Sequence, residues 1–429
     1  KRLGNVNMLS KYKESIPKDY LAKYAINNYI SCNKSIFERL RRVSFFKKVF
    51  NERKIRKLIE RLMDELQPYR SRNPDEMSSE EIDILKKIFT SYILEVDKRK
   101  LFFDRPFLKF FLDQGYLNAA EEFIERAKKE DGNLSSEEIF QAIRNVWIMN
   151  SLQILWGIPV EITPSVYGYS MLYPYTDNFL DNPHISINDK VRFNENLTKI
   201  LSGEKIHVTS FHEKRVLSLV EYIKSQFSRD NNIQVFESIQ LIQEAQVESL
   251  KQDQKYNINY DDILSISFFK GGSSVLADAF LVKGELTNEE MNFAFGYGSF
   301  LQLLDDLQDA KADRENKHQT IFSIVNENDI IDDDIIRLTS YIAHVNTHRI
   351  EDTKTMTMMK EVISSCTLIM VMEAVGKQPE IISERLYRQL ESYSKVRLTF
   401  YNEFEFHIKA LLKEFDFSKP INDSFLTFS

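Results

Sequence analysis

Carboxylates recur at helical spacing in one apolar segment of the chain. Gln302, Asp305, Asp306 and Asp309 follow one another at intervals of three or four residues, which places them on one face of a helix. Carboxylates gathered in an apolar setting repel one another and need a cation, and no Lys or Arg precedes Lys311 in this helix. Oxygen ligands without His or Cys favour Mg²⁺. The alternative is an acidic face that meets solvent or arginines from elsewhere.

A second pair of carboxylates, Asp177 and Asp181, lies among aromatic residues in YPYTDNFLDN, residues 173–182. The i, i+4 spacing puts the pair on one helical face, and we expect Pro174 in the first turn of a helix or at a kink. Without further evidence, the favoured interpretation is that Asp177 and Asp181 are two ordinary surface aspartates. Two Asp motifs that face each other across a helical bundle would instead hold two or three Mg²⁺ ions around a diphosphate.

The two motifs together resemble those of the class I isoprenoid synthases, the all-helical superfamily of prenyl diphosphate, squalene, phytoene and terpene synthases. DNFLD, residues 177–181, matches the first Asp-rich motif in its DxxxD form, and QLLDDLQD, residues 302–309, matches the second. FLQ at 300–302, followed by Asp309 and Asp313, also fits the squalene and phytoene synthase register. Both registers of the second motif therefore stay open.

The resemblance implies that aspartates of both motifs bind the metal ions and carry the catalysis. These are Asp177, Asp181, Asp305, Asp306 and Asp309, with Asp313 as a further metal ligand. It also implies that basic residues bind the diphosphate. The candidates are Lys270, Arg314, Lys317, His318 and Arg397.

Each basic candidate has its own sequence context. Lys270 precedes paired glycines, for which we expect a helix break where backbone amides approach an anion; a plain helix–helix turn is the alternative. RENKHQT, residues 314–320, resembles the basic loop that closes over the diphosphate in this superfamily, and a solvated loop is the alternative. Arg397 and Tyr401 lie i, i+4 on the last long helix, where terpene synthases often place an Arg–Tyr pair.

Two departures of this sequence from the family motifs reduce the number of reactions that we expect. The first motif is not DDxxD, and no GGKR-like segment lies near the N-terminus, so chain elongation is disfavoured. The mixture of motifs is most similar to the bacterial large-terpene synthases. It implies an Mg²⁺-dependent terpene synthase that ionises a long-chain prenyl diphosphate. The alternatives are a prenyltransferase, either chain-elongating or head-to-head, and a non-catalytic helical protein with the same fold. A homodimer is common in this superfamily.

The composition predicts the helices that must position these residues. Of 429 residues, 43% are hydrophobic and 28% charged, which indicates a globular protein. Only 12 Gly and 10 Pro occur, too few for a turn-rich β-fold, so we expect long helices. The resemblance to the class I isoprenoid synthases implies that these helices form an all-α bundle around a central cavity. Capping boxes begin at Ser78, Ser135 and Thr287. The predicted helices cover 19–31, 34–49, 51–67, 79–98, 104–129, 136–156, 188–201, 210–228, 231–253, 259–270, 273–283, 288–311, 333–349, 354–375 and 382–413.

Domain organisation and charge complete the expectations. We expect a helical N-terminal extension, residues 1–130, packed on a catalytic bundle, residues 131–429. Residues 34–58 are basic, and a solvated amphipathic face is favoured there over a phosphate-binding surface. The net charge of −7 gives no overall signature of nucleic-acid binding.

Cysteine content and hydropathy point to a compartment. The two cysteines, Cys32 and Cys366, exclude a disulfide scaffold and suit a reducing cytosol. No apolar run reaches the ~18 residues of a membrane span, so we expect no stable membrane insertion. The first residues contain no apolar core of a signal peptide. These features together predict a cytoplasmic protein.

Overall fold

The computed structural model describes residues 15–70, 72, 77–182, 184–208, 210–325, 329–347 and 353–414. Within these ranges, the description covers the backbone alone at positions 136, 137, 177, 181, 187 and 412–414. All regular structure among these residues is helical, with no β-strand, which confirms the all-α prediction. The helices are α1 Lys18–Ser31, α2 Phe45–Leu66, α3 Ser79–Lys98, α4 Leu108–Asp113, α5 Tyr116–Glu130, α6 Ser136–Leu155, α7 Pro164–Asp181, α8 Ile187–Leu201, α9 Phe211–Gln226, α10 Ile233–Ser249, α11 Tyr260–Lys283, α12 Asn288–Gln308, α13 Ala310–Glu315, α14 Asp332–Thr347, α15 Lys354–Lys377, α16 Glu384–Tyr393 and α17 Leu398–Glu414.

The predicted capping boxes form at the starts of α3, α6 and α12. At each start the Ser or Thr side chain accepts a hydrogen bond from the backbone N–H of a Glu three residues later. The side chain of that Glu in turn accepts a hydrogen bond from the backbone N–H of the Ser or Thr. Two otherwise unpaired N–H groups are satisfied at each helix start. Local sequence therefore fixed these three boundaries.

Helix α7 was not predicted. Thr163 caps its first turn and Pro164 occupies the first helical position, both standard helix-start features. Pro174 lies inside this helix, so of the two positions expected for it, the first turn of a helix is wrong. The interior proline hides the helix from sequence-based prediction, because proline removes one backbone hydrogen bond and normally ends a helix. Tertiary packing of α7 along α9 offsets that loss.

Helix α11 runs without a break through Gly271 and Gly272, and the predicted interruption between 259–270 and 273–283 is wrong. These glycines allow a close helix crossing instead. A Cβ added at Gly271 would lie 2.3 Å from the carbonyl oxygen of Gly298 on α12, and one added at Gly298 would lie 2.0 Å from the carbonyl oxygen of Gly271. Only residues without a side chain allow two helices to approach this closely.

Five helices form a closed ring around the chain's interior. In ring order they are α6, α7, α11, α12 and α15, each packed against the next, with α15 packed against α6. Helix α11 also contacts α6 across the ring. Because α11 lies between α7 and α12, it separates the two helices that carry the Asp motifs.

The N-terminal residues take part in the same core. Helix α1 packs against α11, α12 and α14, and α2 packs against α17. Buried residues from all these helices belong to one continuous hydrophobic cluster. Among the described residues, no helix has the length and apolar character needed to cross a membrane. Cys32 and Cys366 are buried free thiols.

We expect Gly298→Ala to destabilise the protein by about 3 kcal/mol, because the new methyl group overlaps the backbone of α11. Urea unfolding followed by circular dichroism measures this change. Gly132→Ala is the matched control, since the nearest atom to its added Cβ is 3.9 Å away. Equal stability of the two variants would contradict the close crossing.

Candidate functional site

The glycine crossing places the second Asp motif beside α11. Asp306 on α12 is buried, and both of its carboxylate oxygens accept hydrogen bonds. Ser267 Oγ on α11 donates at 2.9 Å and Gln302 Nε2 donates at 2.7 Å. Burial raises the pKa of Asp306 to about 6, with a smaller increase from Asp305, against the stabilising hydrogen bonds and the Lys270 ammonium. The carboxylate is thus held in place by two neutral donors and one nearby positive charge.

Four carboxylates of this region interact electrostatically. Burial raises the pKa of Asp313 on α13 to about 7, and the charges of Asp306, Asp309 and Asp305 raise it further, while Lys270 lowers it. The same lysine therefore opposes the repulsion at both perturbed carboxyl groups. We call Asp305, Asp306, Asp309 and Asp313 the Asp cluster. The structure brings both registers of the second motif into one electrostatic group.

The segment after the Asp cluster forms backbone hydrogen bonds with the residues that follow α10. Backbone bonds join Gln254 N to the Lys317 carbonyl at 3.0 Å and Gln319 N to the Gln252 carbonyl at 2.7 Å. Lys317 adopts the left-handed conformation, with φ of 61°, that commonly ends a helix. The basic loop predicted from the sequence therefore already has main-chain anchors at its C-terminal part.

Of the predicted diphosphate ligands, four lie on α11 or in the segment 314–318, and Arg397 lies elsewhere. Lys270 interacts with Asp306, Asp313 and His318, so it lies at the Asp cluster. Burial and the Lys270 charge lower the pKa of His318 below its usual range, so the imidazole is neutral at pH 7. Arg314 Nε donates to the Ser323 carbonyl at 3.4 Å, and the Lys317 side chain is exposed.

Arg397 has a different environment from the other predicted ligands. It precedes α17, and its guanidinium makes a bidentate pair with the buried Glu52 carboxylate of α2, at 2.6 and 3.0 Å. Glu52, Arg56 and Glu403 are its charged neighbours. Tyr401 is buried in contact with Ser394. This arginine therefore joins α2 to the C-terminal helices, and the Asp cluster is not among its partners.

The first Asp motif lies at the C-terminal end of α7, where Asp177 and Asp181 fall outside the described side chains. Ser165 at the start of this helix donates to the Leu281 carbonyl, near the C-terminus of α11, at 2.6 Å. Since α7 also packs against α11, the two helices run antiparallel. Twelve residues of α7 advance by about 18 Å, so the backbone at position 177 lies that far along α7 from the contact of Ser165 with Leu281.

Several aromatic residues near the first motif pack against α8 and α9. The Phe179 ring lies 4.7 Å from His212 and 4.6 Å from Phe193, and the Tyr175 hydroxyl donates to the Asp131 carboxylate. Gly168 also faces α9, where an added Cβ would lie 2.6 Å from a backbone oxygen. Positions 168, 175 and 179 thus mark the α9 side of α7.

The Asp cluster offers carboxylate oxygens as ligands for a metal ion. Among the described side chains, no group of three or more His, Cys, Asp or Glu is arranged to hold one. The donor chemistry nevertheless fits Mg²⁺, because the Asp cluster supplies only carboxylate oxygens. Mg²⁺ commonly binds through one or two carboxylates and takes its remaining ligands from water and substrate phosphates. The Asp cluster therefore fits a shared Mg²⁺–phosphate site better than a site made by protein alone.

Two cavities among the described residues lie away from the Asp cluster. One of about 30 Å³, between α7, α8 and α10, is lined by residues that include Tyr169, Tyr173 and Leu180. Another, of about 440 Å³, lies between residues 104–107 and the ends of α14 and α15. Neither is lined by the Asp cluster or Lys270.

Sequence reasoning missed Ser267 and Asp278 of α11. Ser267 lies one turn before Gly271, on the side that meets α12, and this spacing was a readable signal. Asp278 is fully buried, and neither carboxylate oxygen has a hydrogen-bond partner among the described residues. Seven residues after Gly271, it stands on the same α12-facing side. Burial alone raises its pKa well above the ordinary value, which favours the protonated carboxyl group in the folded protein.

In comparisons with known protein families, with curated proteins and with solved structures, none matches this chain.

We expect Asp278→Asn to stabilise the protein near neutral pH, because burial of the wild-type carboxyl group opposes its ionisation in the folded state. The folded-state pKa is raised, so wild-type stability is complete below the unfolded pKa of about 3.9 and falls by at most about 1.4 kcal/mol per pH unit above it. The advantage of the variant should therefore shrink as the pH approaches 4.

Urea unfolding at several pH values measures this difference, with the exposed Asp230→Asn as the matched control. An Asn variant that is less stable than the wild type at every pH would contradict this expectation.

Proposed function

We propose that this protein is an Mg²⁺-dependent class I terpene synthase that ionises a long-chain prenyl diphosphate. The observation that carries the proposal is the position of Lys270 against the Asp cluster at the α11–α12 crossing. A lysine beside several coupled carboxylates supplies both signs of charge needed to bind a metal–diphosphate unit. The carboxylates would hold Mg²⁺ and the ammonium would contact phosphate oxygen directly.

The course of α7 supports a shared site. Position 177 stands about 180° around α7 from Gly168, which lies on the α9 side. Position 181 is one further turn along the same face. Both positions of the first motif thus stand on the side of α7 away from α9. This arrangement favours one diphosphate site between the two motifs over two unrelated acidic surfaces.

Different residues of the chain would each have a separate role in the ionisation of the substrate. Mg²⁺, when bound, supplies Lewis-acid stabilisation of the leaving diphosphate. Ser267 and Gln302 orient the Asp306 carboxylate, and Lys270 would stabilise the charge that grows on the departing oxygens. Neutral His318, beside Lys270, would donate a hydrogen bond to phosphate. The apolar residues inside the five-helix ring would keep water from the allylic cation.

Incubation of the purified protein with prenyl diphosphates of increasing length and Mg²⁺ tests the reaction. We expect hydrocarbon product and free diphosphate from at least one long substrate. Asp306→Asn and Lys270→Met should each lower turnover at least about 100-fold, whereas Asp230→Asn should leave it unchanged. Thermal unfolding should show stabilisation by Mg²⁺ with pyrophosphate, because a ligand that binds only the folded state raises the melting temperature.

The outcomes separate the alternatives. Turnover that requires isopentenyl diphosphate, or two farnesyl diphosphates with NADPH, would identify a prenyltransferase. Thermal stabilisation without turnover of any substrate would identify a binding protein of the same architecture. No stabilisation by Mg²⁺ and pyrophosphate, with full activity in both variants, would refute the assignment of the site.

A further inference from the structure

The start of α2 exposes three large apolar side chains. Phe45, Phe46 and Phe50 are 57%, 85% and 50% exposed. Six basic residues, in the segment just before α2 and on α2 itself, are also exposed, and none has an ion-pair partner among the described residues. These are Arg39, Arg41, Arg42, Lys47, Arg53 and Lys57. We call these nine residues the α2 surface.

The α2 surface is a fixed feature, because polar contacts anchor the opposite side of the helix. Lys48, Asn51 and Glu52 are buried, and they bind carbonyls and a guanidinium in the segment 394–397, at 3.0, 2.9 and 2.6 Å. An amphipathic helix of a water-soluble bundle normally turns its aromatic residues inward. Here polar residues occupy part of the inward face while Phe46 lies almost fully in solvent.

Charge around the aromatic residues is strongly positive. Residues 34–58 contain ten Lys or Arg and two acidic residues, in a chain of net charge −7. The Lys54 ammonium lies 4.3 Å and the Lys47 ammonium 5.6 Å from the centre of the Phe50 ring. Aromatic rings interleaved with basic side chains on one helix face are typical of helices that lie in the interface of an anionic bilayer.

We propose that the α2 surface docks this protein on anionic lipid bilayers. Phe45, Phe46 and Phe50 would enter the boundary between headgroups and acyl chains, and the basic residues would contact lipid phosphates. The long stems of Lys and Arg allow their charges to stay at headgroup level while the rings go deeper. Docking of this kind leaves the fold outside the bilayer and is independent of the function proposed above.

Other occupants fit the surface less well. A second copy of the same surface would bring like charges together, which costs binding energy. Single-stranded nucleic acid binds in grooves that follow its backbone, whereas the α2 surface lies on one helix and the segment just before it. Anionic lipid satisfies both the charge and the outward aromatic rings.

Vesicle co-sedimentation tests the proposal with the full chain. We expect binding to vesicles of equimolar phosphatidylcholine and phosphatidylglycerol, weakened by added salt, and little binding to phosphatidylcholine alone. Arg41→Gln with Arg42→Gln should lower the partition coefficient about 25-fold, since each basic residue near the surface contributes roughly fivefold. Phe46→Ser with Phe50→Ser should lower it by at least about tenfold.

Matched controls lie on other surfaces of the molecule. Phe211→Ser removes a ring that is 70% exposed on α9, and Lys128→Gln with Lys129→Gln removes two adjacent exposed charges on α5. Both controls should bind like the wild type. All variants should keep the wild-type melting temperature, because each altered side chain is solvent-exposed.

Three results would overturn the proposal. The first is equal vesicle binding by the wild type and both α2-surface variants. The second is binding of a single-stranded oligonucleotide that requires Arg41 and Arg42, without vesicle binding. The third is a dimer in solution that Phe46→Ser dissociates, again without vesicle binding.

Discussion

The close contact of α11 with α12 at Gly271 and Gly298 controls the rest of the site. An added Cβ at either glycine would lie within 2.3 Å of the other helix's backbone, so any side chain there would push the helices apart. The Ser267–Asp306 hydrogen bond of 2.9 Å spans this same contact and would be lost on separation. The distance from Lys270 to the Asp cluster depends on it as well. Backbone proximity is therefore the constraint that makes the electrostatics of the site effective.

Buried acids in this protein differ in how their burial is compensated. Asp306 has two hydrogen bonds and a nearby ammonium, whereas Asp313 meets mainly other carboxylates and Asp278 meets no polar partner among the described residues. Each of these raised pKa values lowers stability as the pH rises above the ordinary value of an aspartate, because the folded state disfavours the carboxylate form. Such costs concentrate where a fold serves a ligand. The α11–α12 interface fits that pattern.

A buried ion pair gives the N-terminal region its place in the fold. Glu52 of α2 is fully buried and binds Arg397 through both carboxylate oxygens. Removal of either partner would leave a buried, unpaired charge, which is strongly destabilising. The pair fixes α2 against the C-terminal segment and thereby fixes the direction in which Phe46 points. This one ion pair thus explains the orientation of the α2 surface. It also explains why Arg397, a predicted diphosphate ligand, is already paired with a carboxylate.

The sequence alone determined the helical class, three helix starts and the Asp-rich face of α12, because composition, capping boxes and helical periodicity are local properties. It did not reveal α7, since the interior Pro174 resembles a breaker, and it misread Gly271–Gly272 as an interruption. A glycine pair permits either a break or a close crossing, and only the partner glycine on α12 decides between them. The same holds for Arg397, whose charge suits diphosphate or carboxylate alike. Ser267, Asp278 and Glu52 acquire their roles from residues distant in sequence, and such contacts are set by the tertiary structure.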